Sequence, residues 1–253
     1  MSGKIALVTG ATSGIGRATC WELARNGYQI IASGRDAEEL IVLRAELEGG
    51  GFAASSFGAD MRDEEARRQL VEFVKESHGE MDALVNCAGI IGNGSIESTS
   101  LADWDAMLEI NLTAVFHLTQ LAVPLLERRK GSIVNVSSVA GTRAFPNVLA
   151  YCVSKAGVDQ LTRCAALDLA PKGIRVNAVN PGVVVSNLHK RGGMDEGRYS
   201  DFLEHSKTTH PLGRVGRPEE IADLICFLTS EKSGWITGVT YEIDGGRALT
   251  CAR

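Results

Sequence analysis

Short apolar runs alternate with amphipathic stretches along most of the chain. Ile5-Ala6-Leu7-Val8 has no polar alternation, the pattern of a strand covered on both faces. Helical periodicity follows, to about Asn26-Gly27. The pairing then recurs. Tyr28 to Ser33 predicts a second strand, and Asp36 to Leu47 a charged surface helix closed by Gly49-Gly50-Gly51. Phe52 to Phe57 predicts a third strand and Arg62 to His78 a helix. Met81 to Cys87 predicts a fourth strand, and Asp103 to Arg129 a long helix with Asn111 inside it and Pro124 near its end. Ser132 to Val136, Arg175 to Val179 and Val239 to Ile243 supply strands five to seven. Tyr151 to Ala170 reads as a largely buried helix, and Pro218-Glu219-Glu220 opens a last one with proline at its start. Such alternation predicts an α/β fold, a doubly wound parallel sheet of about seven strands with helices on both faces. No second boundary appears, so residues 1–253 are expected to form a single domain. Only 183–211 interrupts the rhythm. It is polar in parts and rich in Gly, Lys, Arg and His, and a loop that long in a compact domain is usually functional.

The candidate chemistry sits where strands end. Thr9-Gly10-Ala11-Thr12-Ser13-Gly14-Ile15-Gly16 lies between the first strand and the first helix. Glycines let the backbone approach a pyrophosphate, and a helix N-terminus offers free N–H groups and a positive dipole end. A tight turn that merely uses glycine is the plainer alternative; the flanking strand and helix favour dinucleotide binding. The second strand ends Ser33-Gly34-Arg35-Asp36. Arg35 suits a 2′-phosphate, whereas Asp36 could cap the next helix or grip a 2′-hydroxyl. NADP(H) is therefore expected, with NAD(H) as the alternative. Tyr151 and Lys155 stand four apart, so one helical face carries a phenol and an ammonium. A nearby cation favours the phenolate and moves its pKa from near ~10 toward working pH, as general acid–base chemistry requires. Asn111 lowers helix propensity where it stands, and a hydrogen-bonded core Asn is its ordinary explanation.

Bulk properties narrow the field. Of 253 residues, 44% are hydrophobic and 23% charged, enough for a sizeable core. The net charge of -5, with no basic block, argues against a nucleic-acid partner. No apolar run is long enough to span a bilayer, so no membrane association is expected. Residues Met1–Lys4 run straight into the first strand, which leaves no room for a leader. The six cysteines lack C-x-x-C spacing and the five histidines are scattered. Buried thiols in a reducing, cytoplasmic setting are expected, with no metal site.

Thr9-Gly10-x3-Gly14-x-Gly16, Asn86-x-Ala88-Gly89, Asn111, Ser138, Tyr151-x3-Lys155 and Pro181-Gly182, in that order, resemble the single-domain short-chain dehydrogenase/reductases. The similarity is greatest to 3-oxoacyl-ACP reductase-like enzymes and carbonyl reductases, and it spans nearly the whole chain. It implies a Rossmann-type fold and hydride exchange between NADP(H), or NAD(H), and a ketone, aldehyde or secondary alcohol. Tyr151 would be the general acid/base, Lys155 would tune it and hold the nicotinamide ribose, and Ser138 would hydrogen-bond the substrate oxygen. Asn111 would hold a water in a proton relay. Gly10, Gly14, Ile15 and Gly16 would line the pyrophosphate, with Thr12 and Ser13 near the adenosine side. Asp60 and Met61 would meet the adenine, and Asn86, beside Ala88 and Gly89, the ribose side. Val184 and Ser186, after Pro181-Gly182, would sit by the carboxamide and pyrophosphate. Ser13 stands where NADP enzymes of the family often carry a basic residue. Tyr and Lys are usually spaced more widely in enoyl reductases of this fold. A homotetramer or homodimer is implied. A non-catalytic dinucleotide-sensing scaffold is the rival of a different class.

Overall fold

A computed structural model describes residues 3–250. Seven strands form one sheet in the order β3-β2-β1-β4-β5-β6-β7. They are β1 (Lys4–Thr9), β2 (Tyr28–Gly34), β3 (Ala54–Gly58), β4 (Ala83–Asn86), β5 (Ser132–Val136), β6 (Arg175–Pro181) and β7 (Thr240–Ile243). Every pairing is parallel. Along β1, successive side chains enter opposite layers: Ala6 and Val8 face one core, Ile5 and Leu7 the other. Both faces are buried, which is why the sequence run shows no alternation.

Helices α1 (Gly14–Arg25), α2 (Ala37–Gly49) and α9 (Pro218–Thr229) cover the first face through Leu23, Leu43 and Ile225. Helices α3 (Glu64–His78), α5 (Ala114–Glu127) and α6 (Leu149–Leu169) cover the second through Leu70, Leu118 and Ala166. The chain winds outward from β1 in one direction and from β4 in the other. The crevice between the carboxyl ends of these two strands is the switch point where such sheets bind ligands.

Several expected boundaries move. The third strand starts at Ala54, not Phe52: the Phe52 N–H closes the end of α2 on the Leu47 carbonyl (3.0 Å), and its ring meets Trp21 edge-on at 6.1 Å. The fourth strand stops at Asn86 because the Cys87 and Ala88 N–H groups turn to the Thr9 hydroxyl. The long helix begins at α4 (Leu101–Leu108), capped by Ser100, passes through a π turn over Glu109–Thr113, and continues as α5. By length and composition Leu101–Glu127 could cross a bilayer; its apolar side packs instead on the sheet. The segment 183–211 is not one loop. It holds α7 (Leu188–Arg191) and α8 (Glu196–Thr209), and α8 escapes a pattern search because it buries little beyond Tyr199 and Ser206. Cys20 and Cys226 are buried free thiols, Cys87 and Cys152 are half-buried, Cys164 is exposed against expectation, and Cys251 lies outside the described residues. Burial pushes the Cys87 thiol up to about 12 and the Cys226 thiol up to about 11, so both are packing groups.

Candidate active site

The glycine turn closes against the end of β4. Gly10 has φ +63°, and a Cβ there would lie 2.9 Å from both Ala88 N and Ala88 Cα. A Cβ on Gly16 would fall 2.2 Å from the Gly10 carbonyl oxygen. The turn therefore needs both glycines to form at all. Thr9 locks it to β4: its hydroxyl accepts from Cys87 N (3.1 Å) and Ala88 N (3.2 Å). Side chains cap α2, α3, α4 and α8, but α1 has none, and no acid lies in its first turn. The first-turn N–H groups and positive dipole end of α1 thus have no side-chain cap or acid of their own, which fits a dinucleotide pyrophosphate. Ser186 borders this cradle, its Cβ 3.1 Å from where a Gly14 Cβ would stand. Tyr199 holds Ser186 in place, accepting from its N–H (3.0 Å) and donating to its carbonyl (2.8 Å).

The step from turn to chemistry is short. A Cβ on Gly89 would be 3.2 Å from Asn111 Oδ1 and 3.6 Å from Lys155 Nζ. Lys155 is buried, donates from Nζ to the Val136 carbonyl at the end of β5 (2.8 Å), and lies 5.8 Å from the Tyr151 ring centroid. Tyr151 is buried beside Met107 and Ala140. Ser138 follows β5; its hydroxyl accepts from Ala140 N (3.1 Å) and faces the Tyr151 phenol. Ser138, Tyr151, Lys155 and Asn111 thus share one edge of the sheet with the glycine turn.

The electrostatics depart from expectation. Burial raises the Tyr151 phenol above its ordinary value; only the Ser138 hydroxyl opposes it. The Lys155 ammonium stands 5.8 Å from the ring centroid and gives one of its three N–H groups to the Val136 carbonyl. Burial lowers Lys155 itself from 10.5 to about 8. The result is a protonated phenol beside a cation that is still mostly charged at neutral pH.

Asn111 sits at the π turn, fully buried. Its amide donates to the Ile90 carbonyl (3.0 Å) and Ser154 Oγ (3.0 Å), and its Oδ1 accepts from Ile90 N (2.9 Å). The amide is a brace for the Gly89-Ile90 backbone. A π turn mid-helix commonly marks such a site.

Other predicted residues fall less simply. Arg35 is exposed at the end of β2, and the Asp36 carboxylate caps α2 by accepting from Glu39 N (3.1 Å). Thr12 packs against Gly34, close to this strand end. Asp60 is gripped by Arg62, which holds its carboxyl below the usual range. Met61 is buried in the core layer with its carbonyl taken by Arg67. The Asn86 amide is also turned inward, donating to Asn135 Oδ1 (2.9 Å) and Thr119 Oγ1 (3.3 Å). Ile15 packs at the margin of the core, and Pro181, the last residue of β6, and Val184, just after it, are buried. A cleft of about 390 Å³ lies between the start of α1, α9 and 185–190. It does not include Ser138, Tyr151 or Lys155. Among residues the sequence did not single out, Arg191 donates to the Ser13 hydroxyl (3.1 Å), tying α7 to the glycine turn. Asn180 donates to the Ser138 carbonyl (3.0 Å) and the Asp159 carboxylate (2.8 Å). Neither has a sequence signal, since each partner is remote in the chain.

A sheet with this switch point, glycine cradle and phenol–amine pair defines a nucleotide-dependent oxidoreductase class. The family model described as "Enoyl-(Acyl carrier protein) reductase" matches residues 10–248. A 3-oxoacyl-[acyl-carrier-protein] reductase FabG of Thermotoga maritima is 40% identical over 98% of this chain and 99% of its own. Cyclohexanol dehydrogenase of an Acinetobacter species is 36% identical over 96% of this chain and 94% of its own. A solved short-chain type dehydrogenase/reductase from Mycobacterium marinum superposes with a TM-score of 0.91 at 32% identity, covering 98% and 97% of the two chains. The chain belongs to the short-chain dehydrogenase/reductases, and it is an NAD(P)-dependent oxidoreductase of that family.

Proposed function

We propose that the protein interconverts a small ketone or aldehyde and its alcohol, with NADP(H) preferred over NAD(H). The observation that carries this is the placement of Ser138, Tyr151 and Lys155 at one strand edge, next to the glycine cradle. The nicotinamide supplies or accepts the hydride when bound. As the carbonyl oxygen gains electron density, the Tyr151 phenol gives it a proton and the Ser138 hydroxyl gives it a hydrogen bond. A phenol that burial keeps protonated is suited to that donation. Lys155 keeps a positive charge beside the phenolate that donation leaves behind. Asn111 holds Gly89-Ile90 against this group.

Support for NADP(H) comes from the end of β2. Asp36 Oδ1 is engaged in capping α2, which holds this carboxylate toward the helix, while Arg35 stays exposed for a 2′-phosphate. Asp60, Met61 and Asn86 would contribute main-chain or shape contacts, since their side chains are engaged elsewhere. The same reading includes self-association as a homotetramer or homodimer. Phe116, Val153 and Leu167 leave apolar surface exposed on α5 and α6, and a monomer in sedimentation equilibrium would overturn that part.

The deciding experiment is a panel of carbonyls, alcohols and enoyl thioesters run with both cofactors. Oxidation or reduction at a carbonyl or alcohol carbon, faster with the 2′-phosphorylated cofactor, is the expected result. Turnover of enoyl substrates alone would transfer the reading to double-bond reduction. Tight NADPH binding with no turnover anywhere would favour a sensing scaffold.

A further inference from the structure

His210 ends α8, and its ring is 3% exposed, wedged between the helix and the turn after β6. Nδ1 lies 2.6 Å from the Ser206 carbonyl, which can only accept. Nε2 lies 3.1 Å from Val183 N, whose hydrogen points at it. These two contacts determine the ring's state. Nδ1 carries the proton, Nε2 is bare, and the imidazole is neutral. The contact is close: a Cβ on Gly182 would fall 2.8 Å from Nε2. Val183 and its neighbours are further zipped to the segment before α9, Gly216 N donating to the Val183 carbonyl (2.8 Å) and Val185 N to the Gly216 carbonyl (3.1 Å). The ring therefore pins the far end of the 188–209 segment to the strand-end turn that leads into Val184 and Ser186.

We propose that neutral His210 is a positioning residue, fastening the 188–209 segment to the Gly182–Ser186 turn, and that its protonation releases both and weakens dinucleotide binding. The inference rests on the dinucleotide-binding reading above. A proton on Nε2 would point at the Val183 N–H, converting a hydrogen bond into a donor–donor contact in a buried place. Burial, the largest influence, resists that proton. The charged groups around the ring come from the C-terminal segment: Arg247, bonded to the Thr209 hydroxyl, opposes protonation, and Asp244 favours it. Arg214 and Glu220 line the same small cavity but are paired with each other (2.6 Å). The Ser206 carbonyl holds the Nδ1 proton in place. The release accordingly falls below the ordinary histidine value of about 6.5.

The test is the dissociation constant of NADPH for the full-length protein from pH 8 to pH 5, with limited proteolysis of 188–209 in parallel. In the wild type, affinity falls toward about tenfold per pH unit once His210 titrates, and cleavage of 188–209 accelerates over the same interval. His210→Gln retains an acceptor and a donor but cannot titrate. It binds like the wild type at pH 8 and lacks the acid step in both measurements. His210→Ala binds more weakly across the range, also without the step. The 2′-phosphate of the cofactor titrates identically in all three proteins, so the differences isolate residue 210. Parallel wild-type and His210→Gln profiles would overturn the proposal while leaving the oxidoreductase reading intact. Failure to bind NADPH or NADH at pH 8 would overturn both.

Discussion

Asn111→Leu replaces a branched amide by a branched alkyl of similar shape and removes every hydrogen bond the side chain makes. Ser154 keeps its own bond to the Tyr151 carbonyl (2.7 Å), so it is not orphaned. The Ile90 N–H and carbonyl both lose their partner in a half-buried position. At about 1–3 kcal/mol for each of the two unsatisfied groups, the cost is about 2–6 kcal/mol. For a chain of this size about 1 kcal/mol corresponds to roughly 2–4 °C, so the midpoint should fall by at least roughly 4 °C and by up to roughly 24 °C. Activity should fall further than stability explains, because Gly89-Ile90 abuts Lys155. The assay pairs thermal and urea unfolding at fixed protein concentration with kcat measured well below the midpoint. Asn111→Asp separates the two bonds: its carboxylate still accepts from Ile90 N but faces the Ile90 carbonyl with no donor. If Asn111→Leu melted within about 2 °C of the wild type and kept its kcat, the brace would be incidental.

Three further outcomes follow from the same geometry. Tyr151→Phe should lower kcat by about 10²–10⁴-fold and leave the cofactor dissociation constant within about twofold, by titration of NADPH fluorescence; near-normal turnover would remove the phenol from the mechanism. Arg35→Asp should turn the ratio of kcat/KM for the two cofactors toward NAD(H) by about 1–3 kcal/mol of lost charge-assisted bonding, and an unchanged ratio would make Arg35 a bystander. Lys155 loses its proton as pH rises through about 8, so turnover should drop along a one-proton alkaline limb there. Stability should move the opposite way. Because the folded value lies below the ordinary 10.5, this group's contribution is fully present above 10.5 and is lost as pH falls through about 8. A limb that persisted unchanged in Lys155→Met would assign it to another group.

The strand–helix order, the doubly wound class and the glycine cradle were legible in the chain because each depends on local rules. Buried parallel strands need unbroken apolar runs, and a Cβ on Gly16 would meet Gly10 only six residues away. Tyr151 and Lys155 share a face by helical spacing alone. Tertiary structure decided what those groups experience. Lys155 gives a hydrogen bond to a carbonyl nineteen residues back in sequence, and burial raises the phenol above its ordinary value. Asn86 was expected at the ribose side and Asn111 in a proton relay, yet the amide of Asn86 turns into the sheet and that of Asn111 braces the Gly89-Ile90 backbone. Helix α8 was hidden because its polar surface carries no apolar stripe, and His210 because its Val183 partner is set by how that helix docks. Periodicity reports which face of an element is buried. Which donor meets which acceptor across elements is settled only when the sheet is assembled and those faces meet.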